Sequence, residues 1–182
     1  MKIIVINGQP RVGKDTFVEL CDKHLLWCKN YSTVDFVKEI AVKCGWDGSK
    51  TPKNRAFLSD LKDLLARWKD VPFKKIEERI RAFRKSIEGL GYDNDEVGIV
   101  FIHSREPEEI KRFVDKFNAT SLLIRRESVE STEQSNHADS QVMDYEYDYV
   151  IENNGTKEEL EQKAVEFLRA LELPKIAFYG KM

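Results

Sequence analysis

The stretch VINGQPRVGKDTF, residues 5–17, constrains the fold more than any other part of the sequence. It joins a short apolar run, KIIVI at 2–6, to a segment with helical apolar spacing that starts near Lys14. Glycines at 8 and 13 let the backbone bend tightly, and the free N–H groups of a helix start attract an anion. The stretch therefore predicts a strand, a loop and a helix arranged around a phosphate group. The alternative, a plain turn with a solvent-facing Lys14, does not explain why motif and predicted context agree.

Composition excludes several broad classes of protein. The chain has 182 residues, of which 41% are apolar, so we expect one domain with a real core. The formal net charge of −2 provides no global field for nucleic acid or an anionic membrane surface. The three cysteines are an odd number without metal spacing, and no signal peptide or membrane-length apolar run is evident. These features predict a cytoplasmic protein with reduced thiols.

Short apolar runs alternate with helical patterns along the whole chain. After the first strand, further strands are predicted at 31–35, 97–102, 120–125 and 147–151. Apolar runs that are covered on both faces are typical of parallel sheets. The pattern therefore predicts an α/β fold with a five-stranded parallel sheet flanked by helices.

Residues 53–90 are predicted to form a helical hairpin between strands two and three. Two apolar faces can be counted in it: Phe57, Leu61, Leu64, Leu65 and Trp68 form the first, and Phe73, Ile76, Ile80, Phe83 and Ile87 form the second. Pro72 lies between the two patterns, where it can open the second helix. We expect Trp68 to pack in the core rather than to stack on a base. Pro107 opens a later helix, and Thr156 with Glu159 forms a capping box before the last one.

The loop residues GQPRVGKDT resemble the adenylate-kinase-like branch of the P-loop kinases. In that pattern a hydroxyl follows the lysine by two positions, so Thr16 is the matching hydroxyl and Asp15 fills the variable position. The segment VDFVKEIAVKCGWDGSKTPKNRAFLSDLKDLLARW is similar to the acceptor side of phage-type deoxynucleoside monophosphate kinases. The segment NHADSQVMDYEYDYVIENNGTKEEL resembles the lid exit, last strand and base-contacting turn of nucleotide kinases.

The resemblance implies a three-layer P-loop fold and a division of one kinase domain into three parts. A core would comprise residues 1–49, 92–126 and 146–182, an acceptor-side insertion about 50–91, and a short lid about 127–145. Residues 127–148 contain seven acidic residues and no Lys or Arg, and they lack apolar periodicity. This composition predicts an exposed segment, which agrees with a lid.

The resemblance also implies that the loop binds ATP together with Mg2+. The implied ATP contacts are Gly8, Arg11, Val12, Gly13, Lys14, Asp15 and Thr16, with Asn153 in the turn after the last strand. Lys14 would reach the terminal phosphates as a mobile point charge. Thr16 and Asp15 are the candidate metal ligands, because Mg2+ prefers oxygen.

Cations are expected near the reacting phosphates, because phosphoryl transfer requires positioning and charge neutralisation. Arg125 and Arg126 end predicted strand four, and Arg105 follows predicted strand three. The carboxyl ends of parallel strands share one edge of the sheet, where ligands bind. These three arginines and Lys14 are therefore the candidate catalytic residues. The alternative for the arginine pair is ordinary surface charge at a strand end.

His103 and Ser104 end strand three, where many P-loop proteins have an aspartate that holds magnesium. A neutral histidine is a poor ligand for Mg2+, so Asp15, Thr16 or Asp35 would have to supply oxygen instead. For His103 we prefer a packed or solvent-facing side chain over a catalytic one, because no partner residue is apparent.

The acceptor side is basic. Residues 50–90 contain twelve Lys or Arg and six Asp or Glu. By resemblance, Lys38 and Arg55, and less directly Lys50, would contact an acceptor phosphate, although most of these charges could equally be a solvated face. Asp35 would accept a hydrogen bond from a sugar or orient the acceptor, and it is equally suited to capping the next helix.

These patterns predict ATP-dependent phosphoryl transfer to a (deoxy)nucleoside monophosphate. A dephospho-coenzyme A kinase or phosphomevalonate-type kinase could use the same frame, and a nucleotide-binding module without transfer activity stays open. The expected partner is a small phosphorylated acceptor, not nucleic acid or a membrane. The sequence leaves open whether two subunits pair through the apolar helical hairpin.

Overall fold

The computed structural model describes residues 1–130, 142–174 and 177–178. Five strands are present in this part of the chain: β1 Lys2–Asn7, β2 Trp27–Ser32, β3 Gly98–His103, β4 Thr120–Arg125 and β5 Tyr149–Glu152. The helices are α1 Lys14–Asp22, α2 Asp35–Lys43, α3 Pro52–Lys69, α4 Val71–Glu88, α5 Asn94–Val97, α6 Pro107–Phe117, α7 Glu127–Glu130 and α8 Lys157–Ala170. Residues 131–141, which include most of the predicted lid, lie outside the described residues.

The five strands form one parallel sheet in the order β2-β3-β1-β4-β5. In β1, Ile4 and Ile6 enter one hydrophobic cluster while Ile3 and Val5 enter the other, so the strand is covered on both faces. This is why β1 is a continuous apolar run rather than an alternating one. The predicted five-stranded parallel α/β fold is confirmed.

Helices cover both faces of the sheet and make a three-layer fold. On one face α1 and α8 pack together, with Phe17 and Phe167 in edge contact at 5.7 Å between ring centroids. On the other face α4 and α6 pack together, with Phe73 and Phe113 stacked at 4.5 Å. The predicted capping box at Thr156 is present and begins α8. The described residues contain no helix that is long and apolar enough to cross a membrane.

The second strand lies earlier in the chain than the predicted 31–35. It pairs with β3 from Trp27 to Ser32, and α1 ends before it at Asp22. Asp35 starts helix α2 and is not in a strand. β2 is a partly exposed edge strand, and its residues WCKNYS have no clear apolar pattern. The bounds of β2 are therefore decided by its pairing with β3.

The two helices of the predicted hairpin are both present, but they are buried to very different degrees. Thr51 caps α3 by accepting a hydrogen bond from the backbone N–H of Asn54 at 3.2 Å, and Asp70 makes the turn to α4 with φ 56°. The whole apolar face of α4 is buried on the sheet, whereas α3 has no buried residue. Trp68 is exposed, so the expectation that it packs in the core was wrong. The division into core, insertion and lid stays a prediction.

Candidate active site

The carboxyl ends of all five strands lie at one edge of the sheet, as parallel pairing requires. The last residues of the strands are Asn7, Ser32, His103, Arg125 and Glu152. β1 is the central strand, between β3 and β4, so the glycine loop that follows it leaves the middle of this edge. Ligands of open α/β sheets bind at such an edge.

The two loop glycines occupy positions where no other residue fits. At Gly8, with φ 145°, an added Cβ would lie 2.3 Å from the backbone oxygen of Ile124. At Gly13, with φ 97°, an added Cβ would lie 2.5 Å from Nδ2 of Asn153. Gly13 is also the N-cap of α1 and brings no side chain to the helix start. No side chain caps the first N–H groups of α1, so these groups can bind an anion held in the loop.

Asn153 braces the loop from the neighbouring turn. Its side chain is buried, and Nδ2 donates a hydrogen bond to the backbone oxygen of Val12 at 2.7 Å. The Val12 side chain itself is buried in the core, whereas Arg11 is exposed and has a left-handed backbone with φ 67°. Within the predicted ATP contacts, Val12 and Asn153 thus hold the shape of the loop.

Lys14 folds back over the loop. Its ammonium donates hydrogen bonds to the backbone oxygens of Gly8, at 2.5 Å, and Gln9, at 2.8 Å. A positive charge is thereby held at the mouth of the loop. The carbonyl oxygens that hold it are neutral acceptors, which bind an ammonium more weakly than phosphate oxygens do.

A hydrogen-bond network around Asn7 links the loop to the segment before β5. The buried Asn7 side chain accepts a bond from the N–H of Gly8 at 2.8 Å and donates to the Tyr147 hydroxyl at 2.6 Å. Asn7 also donates to the backbone oxygen of Arg105 at 3.2 Å, and Tyr147 donates to that of Val142 at 2.8 Å. Burial raises the pKa of Tyr147 to about 12, so the hydroxyl keeps its proton. No sequence pattern predicts the members of this network. The one available signal is Asn7 itself, a polar residue at the end of an apolar strand, which needs hydrogen-bond partners if it is buried.

His103 lies inside the site next to Lys14 and Asp15. Burial lowers the pKa of His103 to about 4, and the nearby Asp15 charge only partly opposes this while Lys14 adds to it. The histidine is therefore neutral at pH 7. Its Nε2 is 3.6 Å from a carboxylate oxygen of Asp15, too far for a hydrogen bond, and the Asp15 side chain is 85% exposed.

The candidate metal ligands Asp15 and Thr16 lie in the first turn of α1, beside the loop. Thr16 is half-buried. Among the described residues there is no cluster of three or more His, Cys, Asp or Glu side chains that could hold a metal ion. Any metal here would therefore take oxygens from few protein groups, as Mg2+ commonly does when it shares ligands with phosphates.

The three candidate arginines all reach this edge of the sheet. Arg105 follows β3, Arg125 ends β4 and Arg126 comes next, and all three side chains are half-buried. Arg125 forms an ion pair with Glu152, the last residue of β5, at 3.4 Å. The sequence prediction that these cations and the glycine loop share one edge agrees with the strand ends.

On the acceptor side, Asp35 contacts a residue that the sequence patterns do not point to, Arg79 of α4. One carboxylate oxygen of Asp35 accepts hydrogen bonds from the N–H of Ser32, at 2.8 Å, and from Arg79, at 3.0 Å. Arg79 also bonds Glu39 at 2.8 Å. Asp35 is the first residue of α2 and its side chain does not cap that helix, because the N-cap is Val34.

The other three acceptor-side candidates are on the surface. Lys38 is exposed one turn after Asp35 on α2. Lys50 and Arg55 are exposed just before and in the first turns of α3. The structure therefore brings Asp35 and Lys38 together on α2 and places Arg55 on α3, with Lys50 in the loop just before it.

A second unpredicted cluster lies beside Arg105. Lys62 of α3 bonds Glu106 at 3.0 Å and Glu109 at 3.2 Å, and the Ser104 hydroxyl donates to Glu109 at 2.5 Å. Burial lowers the pKa of Lys62, but the Glu109 and Glu106 charges outweigh burial and raise it above its usual value. The cluster ties the inserted helix to the segment that carries Arg105.

Comparison with known proteins supports the fold and does not extend to a family. No family model matches the chain, and no curated protein matches it. The solved structure of a sugar kinase from Janibacter aligns with TM-score 0.53 at 14% identity, covering 98% of this chain and 99% of that one. Shikimate kinases from Bacteroides thetaiotaomicron and Aquifex aeolicus align with TM-scores 0.46 and 0.49 at 12% identity, over 94% and 93% of this chain and 99% and 98% of theirs. The first alignment shows a shared three-layer fold, and no inference rests on the other two.

Proposed function

We propose that the chain is a P-loop kinase that transfers a phosphoryl group from ATP to a small phosphorylated acceptor. The observation that carries the proposal is the loop from Gly8 to Thr16. Its two glycines lie so close to Ile124 and Asn153 that a side chain would clash there. The loop ends at the start of α1, next to the Lys14 ammonium. Such a loop binds the phosphates of a nucleotide through backbone N–H groups and the helix N-terminus.

Charge neutralisation would come from the loop lysine and the strand-end arginines. Phosphoryl transfer spreads negative charge over the transferred group, and cations at fixed positions stabilise it. We infer that the Lys14 ammonium leaves the Gly8 and Gln9 carbonyls for phosphate oxygens, because ionised acceptors bind it more strongly. Arg105, Arg125 and Arg126 would face the transferred group from the carboxyl ends of β3 and β4.

Mg2+ would be held by the Thr16 hydroxyl and the Asp15 carboxylate, which are oxygen donors beside the loop. When bound, the ion supplies positive charge that neutralises the β- and γ-phosphate oxygens. A neutral His103 suits this arrangement, because it adds no further positive charge next to Lys14. Its place at the end of β3 means that this strand contributes no carboxylate to the metal.

For the acceptor we propose a nucleoside monophosphate, most readily a deoxynucleotide. The proposal is supported by the resemblance of the acceptor side to deoxynucleoside monophosphate kinases and by basic side chains on α2 and α3, Lys38 and Arg55 above all. Asp35 would orient the acceptor sugar, with its carboxylate held in place by Arg79. The solved structure with the same fold is described as a sugar kinase, so free sugars belong in the acceptor panel beside dephospho-coenzyme A and phosphomevalonate.

A second candidate function is nucleotide binding without transfer. The observation that favours it is His103, a neutral side chain at the strand end where an acidic metal ligand is common. Calorimetry measures ATP binding, and an ADP-release assay across the acceptor panel measures phosphoryl transfer. The two measurements together separate the two functions. Tight ATP binding with no acceptor-dependent ADP release would establish the binding module and overturn the kinase proposal.

Lys14→Ala tests the role of the loop. We expect turnover to fall by at least about 100-fold, the lower end of what removing one charge-stabilising donor costs. Lys23→Ala is the matched control, because Lys23 follows the same helix and its ammonium is exposed beside Glu161. Normal turnover in Lys14→Ala, with an unchanged thermal unfolding midpoint, would contradict the assignment.

Alanine variants of Arg105, Arg125 and Arg126 test the catalytic set one residue at a time. An arginine that stabilises the transition state can contribute roughly 10³-fold or more to turnover. Arg169→Ala, an exposed position on α8, is the control. Any of the three whose loss changes turnover by less than a few fold would be removed from the set.

A further inference from the structure

Helix α3 leaves an apolar stripe uncovered. Phe57, Leu64 and Trp68 are 36%, 55% and 71% exposed, and the half-buried Leu61 lies between them in the sequence. No residue of α3 is buried. Contiguous apolar surface of this kind marks an interaction site more often than single exposed side chains do.

Most of the stripe faces solvent. With about 100° of rotation per residue, Phe57, Leu61, Leu64 and Trp68 fall within an arc of about 60° on the helix. Lys62, which bonds two carboxylates at the start of α6, lies about 140° around the helix from Phe57. Lys62 and the stripe therefore occupy different faces of α3, and Phe57, Leu64 and Trp68 are accessible to another molecule.

Opposite charges flank the stripe on one side. Asp60 and Arg67 are two helical turns apart and lie on the same flank, and neither forms a salt bridge with another described residue. An antiparallel helix that presents the same sequence would offer its arginine opposite this aspartate and its aspartate opposite this arginine. The surface is complementary to itself in charge as well as in apolar spacing.

We propose that α3 is a homodimer interface, in which two copies of this chain pair their α3 helices antiparallel about a twofold axis. The axis passes between Leu61 and Leu64, so that Leu61 meets Leu64 of the partner subunit and Phe57 meets Trp68 of the partner subunit. Asp60 then lies near Arg67 of the partner subunit, and the twofold repeats each contact. Interfaces with this symmetry use the same patch on both subunits.

The size of the surface predicts a weak dimer. A helix of 18 residues is about 27 Å long, and one such helix per subunit buries less than the roughly 800 Å² per partner of a standard interface. We therefore expect association in the micromolar range. The proposal does not depend on the proposed enzymatic function, because none of its residues is a candidate for the strand-edge site.

Sedimentation velocity over a range of concentrations tests the interface. The chain should change from monomer to dimer as concentration rises, and Leu64→Asp should stay monomeric because it buries a charge in the stripe. Leu90→Asp is the matched control, since Leu90 is 58% exposed after α4 and lies outside the stripe. A chain that is monomeric throughout, or a dimer that Leu64→Asp does not affect, would overturn the proposal.

Charge reversal tests whether the occupant is a second copy in this orientation. Asp60→Arg and Arg67→Asp each place like charges opposite one another twice, and each should weaken the dimer about tenfold. An equimolar mixture of the two variants should recover dimers, because one chain then carries two positive charges on this flank and the other two negative ones. If the mixture associates no better than either variant alone, the antiparallel self-pairing is wrong.

Discussion

Helices α3 and α4 have the same length and the same kind of sequence pattern, yet they are held in place by different forces. Each spans 18 residues and each has an apolar face with helical spacing. The face of α4 is buried on the sheet from Phe73 to Ile87, whereas no residue of α3 is fully buried. The difference shows that amphipathic spacing identifies the apolar face of a helix without identifying what covers that face.

The two helices differ in what they contact. α4 lies against β3 and α6, where its aromatic and branched side chains fill a core cluster, so the hydrophobic effect holds it. α3 contacts α2 and α4, and its Lys62 forms ion pairs with Glu106, just before α6, and with Glu109 of α6. Burial should therefore dominate the stability of α4, whereas the Lys62 ion pairs should contribute strongly to the position of α3.

Ile80→Ala on α4 should have the largest effect on stability. Ile80 is almost fully buried in the cluster that contains Phe83 and Val100, and its truncation leaves a cavity. We expect a loss of about 2–4 kcal/mol in the free energy of unfolding. Urea unfolding followed by circular dichroism measures it.

The matched control is Leu64→Ala on α3, measured at a concentration where the chain is monomeric. Because Leu64 is mostly exposed, we expect its loss to change the free energy of unfolding by no more than about 0.5 kcal/mol. Equal losses at the two positions would show that α3 is buried as deeply as α4.

Lys62→Met should have the second-largest effect, because it removes the charge that holds α3. The Lys62 side chain is only 12% exposed, and its loss leaves Glu109 partly buried without a cation. We expect a loss of about 1–3 kcal/mol, discounted for the solvent that reaches Glu106.

Hydrogen exchange distinguishes detachment of α3 from general destabilisation. In Lys62→Met, amides of α3 should exchange faster while those of α4 stay protected. Lys53→Met, an exposed position on the same helix, should change neither. Faster exchange in both helices would mean that they form one cooperative unit.

Arg79→Gln should have a smaller effect and should act on α4 through charge rather than burial. The Arg79 and Asp35 side chains are each about one-third exposed, so the ion pair contributes at most about 1 kcal/mol. If Asp35 orients the acceptor, KM for the acceptor should rise more than kcat falls. Arg81→Gln, at an exposed position on α4, provides the comparison. A stability loss as large as that of Ile80→Ala would refute the distinction between charge and burial.

Trp68→Ala should have the smallest effect on the monomer. Trp68 is mostly exposed, and the Lys69 ammonium lies 5.6 Å from its ring centroid. We expect a change of less than about 0.5 kcal/mol in the free energy of unfolding of the monomer. A much larger loss, measured by urea unfolding at low concentration, would mean that Trp68 is packed within its own chain.

Local patterns predicted much of the fold and the centre of the candidate site. The glycine loop, strand four at 120–125 and the helix opened by Pro107 agree with the structure because their signals lie in adjacent residues. The bounds of β2 did not follow from its sequence, since an edge strand with polar residues takes its register from β3. The partners of Asp35 and Lys62, far away in the chain, have no local signal at all.

The amino-acid sequence by itself determines that the chain alternates strands and helices, that a glycine loop precedes α1, and that α3 and α4 each have an apolar face. Those properties depend on backbone conformation and on side-chain periodicity within a few residues. Packing of the whole chain decides that α4 covers the sheet, that Lys62 and Arg79 meet carboxylates, and that the stripe on α3 stays open. The physical reason is that periodicity fixes which side chains share a face, whereas burial depends on which distant segment reaches that face when the chain has folded.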